Sequence, residues 1–469
     1  MTKPIPPLDL SWLLIESPAS TTHVGAMLLF KKPAGRKPVV REIAEAYRSY
    51  PPAPPFNYVP ELLGRGVPHF REVASWDPYY HIAHLALPAG ASYDDLLRLV
   101  ADLHEPMLDR DRPMFRCWLI DGVPGGMFAM YTKTHHSIID GESGLKTLYA
   151  CLSNSDEHVI AKPGYALGVP APTPHPPTPV LEKIADVIRT SLNEVEAVSQ
   201  LSVGALRKTL SALAGSHLEG SVPFTAEHAP TNEPLKMGRT FATLSLPLEE
   251  MRKVGHHFGA TLNDVAVTVV DAGLHAYLRE TGRAFGHPLV AMCPVSLRAD
   301  GDAAVGTRIS AMFVRLGEPG ATMTERIRQV VGSVATAKKE LAAMSSGAAM
   351  TYLVGLVALA DLAASTHLDR VGHPGCNLII SNVVGAKEPR YLNGARLLGI
   401  YPLSALATSI GLNATLTSYH DHMDFGFVAN AAELHDLPEL ARCTQQAYKE
   451  LTKAAEKQPA QSKSIAGAL

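Results

Sequence analysis

Short apolar or alternating runs recur along this chain with the two-residue period of strands, at Val24 to Phe30, His81 to Leu87, Phe115 to Asp121 and Met127 to His135. Between them, Val39 to Tyr47, Tyr93 to Leu108 and Ser143 to Leu152 space their apolar residues as helices do. The alternation resumes after residue 236. Strands are expected there at Arg239 to Leu246, Leu289 to Val295, Ile309 to Leu316, Leu378 to Asn382, Gly411 to Tyr419 and His422 to Ala429. Helices are expected at Leu248 to Phe258, Leu262 to Glu280, Met323 to Ala342 and Ala348 to Ala363. No short repeat links the halves, but their matching content predicts two α/β units facing each other.

The pattern breaks between Lys162 and Pro179, where prolines at 163, 170, 172, 174, 176, 177 and 179 oppose both helix and central strand. Amphipathic helical spacing follows from Leu181 to Leu213, and a second Pro-containing polar stretch runs from Glu219 to Pro234. The expected organisation is therefore an N-terminal domain over residues 1–160, a linker with amphipathic helices over 161–235, and a C-terminal domain over 236–469. A length of 469 residues agrees with two cores rather than one.

Composition narrows the partners. A net charge of −3 gives no basic field to draw in a nucleic-acid backbone, so nucleic acid is not expected. Five scattered cysteines make a poor disulfide framework, which fits a reducing cytoplasm. The start, Met-Thr-Lys-Pro-Ile-Pro-Pro, lacks the apolar core of a secretory signal, and prolines 4, 6 and 7 argue against a helix there. The most apolar helical stretch, Gly347 to Ala360, is shorter than the roughly 20 residues that cross a bilayer. Tyr401 to Tyr419, uncharged but rich in Ser, Thr, Asn and Gly, reads as a strand pair. Membrane contact is thus expected to be peripheral.

The candidate chemistry lies in His135-His136-Ser-Ile-Ile-Asp140-Gly141, at the end of one strand and before a helix. Successive strand side chains face opposite ways, so only one of the two histidines addresses a given substrate. Adjacent strand histidines also converge poorly on one ion, and no clustered Cys/His spacing occurs elsewhere, so no metal site is expected. An imidazole titrating near neutrality suits deprotonation of an alcohol attacking a thioester; two structural histidines at a strand end are the alternative. Asp140 is placed to order the loop through an ion pair, with Arg298 in Pro294-Val-Ser-Leu-Arg298 as its cationic partner or else a solvated surface arginine. Gly141 is expected to supply a turn or a close backbone approach. His256-His257 lacks the downstream Asp-Gly and ends an amphipathic helix, which marks it as a decoy. With no Gly-x-Ser-x-Gly elbow and no cysteine in a catalytic context, direct transfer is favoured over an acyl-enzyme.

His135 to Gly141 matches the HHxxxDG signature of coenzyme A-dependent acyltransferases with the chloramphenicol acetyltransferase fold. Further stretches narrow the resemblance: Pro7-Leu-Asp-Leu-Ser-Trp12, Thr22-His-Val-Gly25, Leu108-Asp-Arg-Asp-Arg-Pro113, Asn263-Asp-Val265, Pro294 to Arg298, Ser381-Asn-Val-Val-Gly385 and Asp424-Phe-Gly426. In this order they resemble the bacterial wax ester synthase/diacylglycerol acyltransferase family; Val384 stands where that family often has proline. The resemblance implies an α/β (α+β) fold of two chloramphenicol-acetyltransferase-like domains with the active site at their interface. It implies His136 as general base, with His135 and Asp140 mainly structural. Acyl-CoA would be the co-substrate, with no tightly bound cofactor, and a long-chain alcohol or diacylglycerol the acceptor. These water-insoluble partners imply a protein that visits a membrane or lipid-droplet surface from the cytoplasm.

The same resemblance marks Asn263 and Asp264 as important for activity. An Asn amide can donate to a developing oxyanion, while helix capping by Thr261 and Asp264 is the competing reading; Asn263 is assigned to the site and Asp264 to the cap. Ser381 and Asn382, ending an apolar strand, are candidates to line the same site or are ordinary turn residues. Small residues such as Gly355 and Ala360, interleaved with large ones, are candidates for an acyl-chain slot, against ordinary core packing.

Overall fold

The computed structural model describes residues 2–36, 38–62, 67–168, 223–296, 309–344, 349, 352–353, 355–356 and 372–457. Two six-stranded sheets dominate it. The first runs in the order β12 (Tyr391–Leu392), β13 (Ala395–Leu403), β2 (His23–Lys31), β7 (Met127–His135), β6 (Phe115–Val123) and β5 (Ile82–Ala86). Only its β5–β6 pair is parallel. The second runs β10 (Ile309–Arg315), β9 (Val290–Ser296), β11 (Leu378–Val383), β14 (Leu412–Tyr419), β15 (His422–Asn430) and β8 (Arg239–Pro247), with β11 parallel to both its neighbours. A small sheet of β1 (Thr2–Pro4), β4 (His69–Glu72) and β3 (Tyr58–Glu61) flanks the first.

The central strands read as unbroken apolar runs because both their faces are covered. Along β2, Ala26, Leu28 and Phe30 enter one core cluster, while Met27 and Leu29 enter another. The two-residue period thus divides one strand between two cores. The second of these clusters also takes Phe241 from β8, Tyr401 and Leu403 from β13 and Val428 from β15, so it is shared by both sheets. Burying an aromatic or large aliphatic side chain stabilises by ~1.5–3 kcal/mol, which makes this shared cluster an adhesive between the units.

Connectivity crosses the expected boundary between domains. Residues 391–403 follow β11 of the second sheet, yet β13 pairs with β2 and closes onto the first sheet. Gly426 on β15 faces it so closely that a Cβ there would lie 1.9 Å from Pro402 O.

Helices α1 (Pro7–Ile15), α2 (Val39–Arg48), α3 (Pro78–His81), α4 (Tyr93–His104), α5 (Gly141–Ala150) and α6 (Gly164–Leu167) belong to the first half. α7 (Leu248–Phe258), α8 (Leu262–Glu280), α9 (Met323–Ala342) and α10 (Leu437–Lys457) cover the second sheet. Gly273 lets α8 and α10 close up, since a Cβ there would fall 2.4 Å from Thr444 Oγ1.

Three local expectations are corrected. The prolines near the start do not prevent a helix: Pro7 occupies the first position of α1, where its missing N–H costs nothing and its fixed φ suits the helix. The helix expected to reach Leu108 stops at His104, because Pro106 cannot continue it. Lys133 then takes up the freed carbonyls, with Nζ donating to Leu103 O at 2.9 Å, His104 O at 3.4 Å and Pro106 O at 2.6 Å. Burial pulls this ammonium down to about 7, but three carbonyl acceptors match the three N–H groups of its charged form. Finally, Tyr401 to Tyr419 is not a strand pair. Its ends fall in β13 and β14, which lie in different sheets. The helices expected over 181–213 lie outside the described residues, as does most of the stretch from Ala348 to Ala363.

Candidate active site

β7 ends at His135, and the chain turns before α5 starts at Gly141. The turn is pinned from both sides. His136 N–H donates to Thr22 O at 2.9 Å, and Ile138 N–H folds back onto His135 O at 2.9 Å. Asp140 caps α5, its carboxylate accepting from Ser143 N–H at 2.8 Å, an arrangement that also suits the positive end of the helix dipole. Divergence of the two histidines therefore comes from this turn, rather than from strand alternation carried through His136.

His135 is fully buried, and both its ring nitrogens are engaged. Nδ1 accepts from Ser137 N–H at 3.1 Å and lies 2.8 Å from Ser137 Oγ. Nε2 lies 3.1 Å from Thr22 Oγ1 and 3.4 Å from Glu16 Oε2. Glu16, likewise without exposure, also accepts from Thr22 N–H at 3.1 Å and from Arg110 Nη2 at 2.9 Å. Burial pushes the Glu16 carboxyl up, but the His135, Thr22 and Arg110 contacts outweigh it and hold the group below its ordinary value.

His136 is only half-buried. Its ring stacks on Trp12, with centroids 4.3 Å apart and planes 16° from parallel. Nδ1 is sealed from solvent and has no hydrogen-bond partner of full geometry, whereas Nε2 is left open among the described residues. Burial lowers this imidazole below 6.5, offset in part by its own main-chain carbonyl and by the Asp140 charge. The nitrogen that can reach that carbonyl is Nδ1, so a proton there leaves Nε2 with a free lone pair.

The two halves meet beside this turn. Val383 at the end of β11 lies next to Gly141, its Cγ2 4.0 Å from where a Cβ would stand. One residue earlier, the exposed Asn382 donates from Nδ2 to Asn263 Oδ1 at 3.4 Å, joining β11 to the first turn of α8. Val383 and Asn382, adjacent on β11, thus connect the histidine turn at Gly141 with Asn263 on α8, and Ser381 is half-buried next to Asn382. Asp264 forms a reciprocal capping box with Thr261, at 2.8 Å from Thr261 N to Oδ2 and 3.2 Å from Asp264 N to Thr261 Oγ1.

Gly141 departs from its expected reason. Its φ is not positive, and nothing among the described residues approaches closer than Val383, so neither a special turn nor a tight contact with them requires glycine there. Gly355 is helical and buried. Its neighbours Tyr352, Leu353 and Leu356 pack into a core cluster with Val290, Ala311 and Phe313. Arg298 and Ala360 lie outside the described residues. His256 and His257 sit in the last turn of α7. All five cysteines are buried and free, and burial pushes the thiols up, to about 11 at Cys151 and about 12 at Cys293 and Cys376. None is an activated nucleophile.

Residues 5–266 match the wax ester synthase/diacylglycerol acyltransferase catalytic domain, and residues 305–452 match the C-terminal domain of the same proteins. The chain belongs to the wax ester synthase/diacylglycerol acyltransferase family. It is an acyltransferase, as its similarity to named enzymes also indicates. It is 34% identical to a Mycobacterium tuberculosis protein named "Probable diacylglycerol O-acyltransferase Tgs4", over 98% of this chain and 99% of that one. It is 30% identical to the O-acyltransferase WSD of Acinetobacter baylyi, over 91% and 92%. Among solved structures it resembles the wax ester synthase/diacylglycerol acyltransferase of Marinobacter aquaeolei, with a TM-score of 0.76, 28% identity and coverage of 97% and 100%. The fold, though not more, is shared with the first condensation domain of the CDA synthetase, at a TM-score of 0.55 and 17% identity.

Within this wax ester synthase/diacylglycerol acyltransferase site, sequence reasoning gave no role to Trp12, Glu16, Thr22, Arg110 or Ser137. Trp12, Thr22 and Arg110 do stand in stretches that carry the family resemblance, which was the available signal.

Proposed function

We propose that this enzyme transfers a fatty acyl group from acyl-CoA to the hydroxyl of a long-chain alcohol or a diacylglycerol, with His136 as general base. The observation behind this reading is the contrast between the two rings: His135 has both nitrogens occupied, while among the described residues His136 keeps Nε2 open. Nε2 takes the hydroxyl proton as the alcohol oxygen attacks the thioester carbonyl, forming the new C–O bond. Collapse of the tetrahedral intermediate breaks the C–S bond, and the imidazolium returns the proton to the departing thiolate. No acyl-enzyme is needed, consistent with the inert thiols.

Trp12 presents its ring to the imidazole, and an aromatic face favours the imidazolium that forms midway. Asn263, its carbonyl oxygen held by Asn382, keeps its amide hydrogens for the oxyanion, a contribution of roughly 3 kcal/mol where such donors operate. Acceptors of this kind reside in lipid, so the enzyme is assigned to membrane or lipid-inclusion surfaces as a peripheral protein. Among the described residues, no helix is long and apolar enough to cross a membrane.

An acceptor panel with palmitoyl-CoA tests the reading. Free thiol should appear with hexadecanol or dipalmitoylglycerol and not without acceptor. Folded protein that releases none with either acceptor would point to a lipid-binding module instead.

A further inference from the structure

A fully buried carboxylate is costly unless its neighbours satisfy it, and Glu16 is satisfied at the foot of the histidine pair. It follows α1 directly, as the extended residue that ends the helix. Arg110 balances its charge and ties down the same helix end, with Nη2 donating to Leu13 O at 2.7 Å. Thr22 makes several contacts at once. Its N–H donates to Glu16 Oε1 at 3.1 Å, its carbonyl accepts from His136 N–H at 2.9 Å, and its hydroxyl lies 3.1 Å from His135 Nε2.

These contacts leave His135 one tautomer. Ser137 N–H can only donate, so Nδ1 must be unprotonated. On the other edge of the ring, the Thr22 hydroxyl gives its hydrogen to Trp12 O at 2.9 Å, and its oxygen is therefore free to accept. The Glu16 carboxylate is an acceptor as well. Both oxygens call for a proton on Nε2. That tautomer holds Ser137 N–H against the ring of a residue two positions earlier, and His136 is the residue between them.

We infer that Glu16 is a positioning residue for the transfer reaction: acting with Thr22 through the His135 ring, it fixes the 135–137 turn and so aims His136. Without the carboxylate, Nε2 loses one of its two acceptors and its only charged one. His135 is then free to carry its proton on Nδ1, where it meets Ser137 N–H donor to donor, and the turn relaxes. Arg110 serves the same end by keeping Glu16 ionised. The inference rests on His136 being the base.

The test uses the full-length enzyme with palmitoyl-CoA and hexadecanol, following thiol release. Glu16→Gln keeps the volume and removes the charge; kcat should fall about 10- to 100-fold with KM for both substrates unchanged, as expected for a misaimed base. In a His135→Asn background, where Asn retains an acceptor for Ser137 N–H but lacks Nε2, the same change should cost less than about twofold, because coupled residues are not additive. Thr22→Val should lower kcat by a smaller factor, and Thr22→Ser should restore it. An unchanged kcat in folded E16Q, a loss confined to KM, or an equal loss in both backgrounds would each overturn the inference. Should E16Q not fold, T22V decides: unaltered kcat there, or failure of T22S to restore it, removes the proposal. His136→Ala in the same assay separates the two levels. Activity retained in H136A discards the base itself, whereas inactive H136A with fully active E16Q discards only the anchor.

Discussion

Burial pulls the His136 imidazole below 6.5, and the Asp140 carboxylate draws it partly back. Asp140→Asn keeps a side chain able to cap α5 but removes that charge. The His136 value should then fall further. A base works only when neutral, so the acid limb of the kcat profile should move to lower pH, with a lower plateau from the weaker base. A pH–rate comparison of the two proteins checks this, and a limb that stays put or moves upward contradicts it. The pair of histidines and the Asp-Gly that follows were legible because they are local. Glu16 was not, since its Arg110 partner lies 94 residues away and nothing in the surrounding sequence marks a carboxylate as buried.

Among the elements, glycine positions separate packing from function. A Cβ at Gly426 would meet Pro402 O at 1.9 Å, where β15 of one sheet faces β13 of the other. Gly426→Ala should therefore destabilise by about 3 kcal/mol or more, since backbone cannot step aside as a flexible side chain can. At Gly141 the added methyl meets, among the described residues, only Val383 Cγ2 at 4.0 Å, and Gly141→Ala should leave Tm within about 2 °C. Thermal melts of both variants check the contrast, and equal losses would contradict it. Periodicity located most strands and helices, because their apolar faces are set by local spacing. It missed α1, where proline was read as a helix breaker although the first turn tolerates it. The C-terminal end of α4 and the strands over 391–403 escaped for a different reason. A lysine 27 residues from Pro106 completes the cap, and β13 finds its partner in β2, far away along the chain.

The whole molecule holds several histidines neutral in its interior. His81 and His275 are drawn from 6.5 to about 4 by burial, and His23 and His104 fall well below 6.5 for the same reason. For such groups the unfolded chain binds protons that the folded one refuses, so stability is complete above pH 6.5 and declines as pH falls towards 4. A shift from 6.5 to about 4 corresponds to ~3 kcal/mol. Asp271, raised to about 6 by burial despite Arg326, works in the opposite direction but is one group against several histidines. Denaturation midpoints should therefore drop steeply between about pH 6.5 and 4, and a midpoint that holds or rises across that interval contradicts the assignment of neutral interior histidines. At this scale the alternation of strands and helices foretold two sheets. It could not foretell that they share a core cluster, or that β13 of the second half joins the first sheet, since both depend on pairings made in space.

In the proposed transfer one imidazole, His136, whose Nε2 is open among the described residues, moves the proton. The most direct measurement is the rate of thiol release by folded His136→Ala at saturating palmitoyl-CoA and acceptor. With His136 as base, kcat should fall at least about 100-fold, the lower end of what a positioned base contributes, with a melting temperature close to that of the parent. A folded variant that turns over at the parental rate would contradict it.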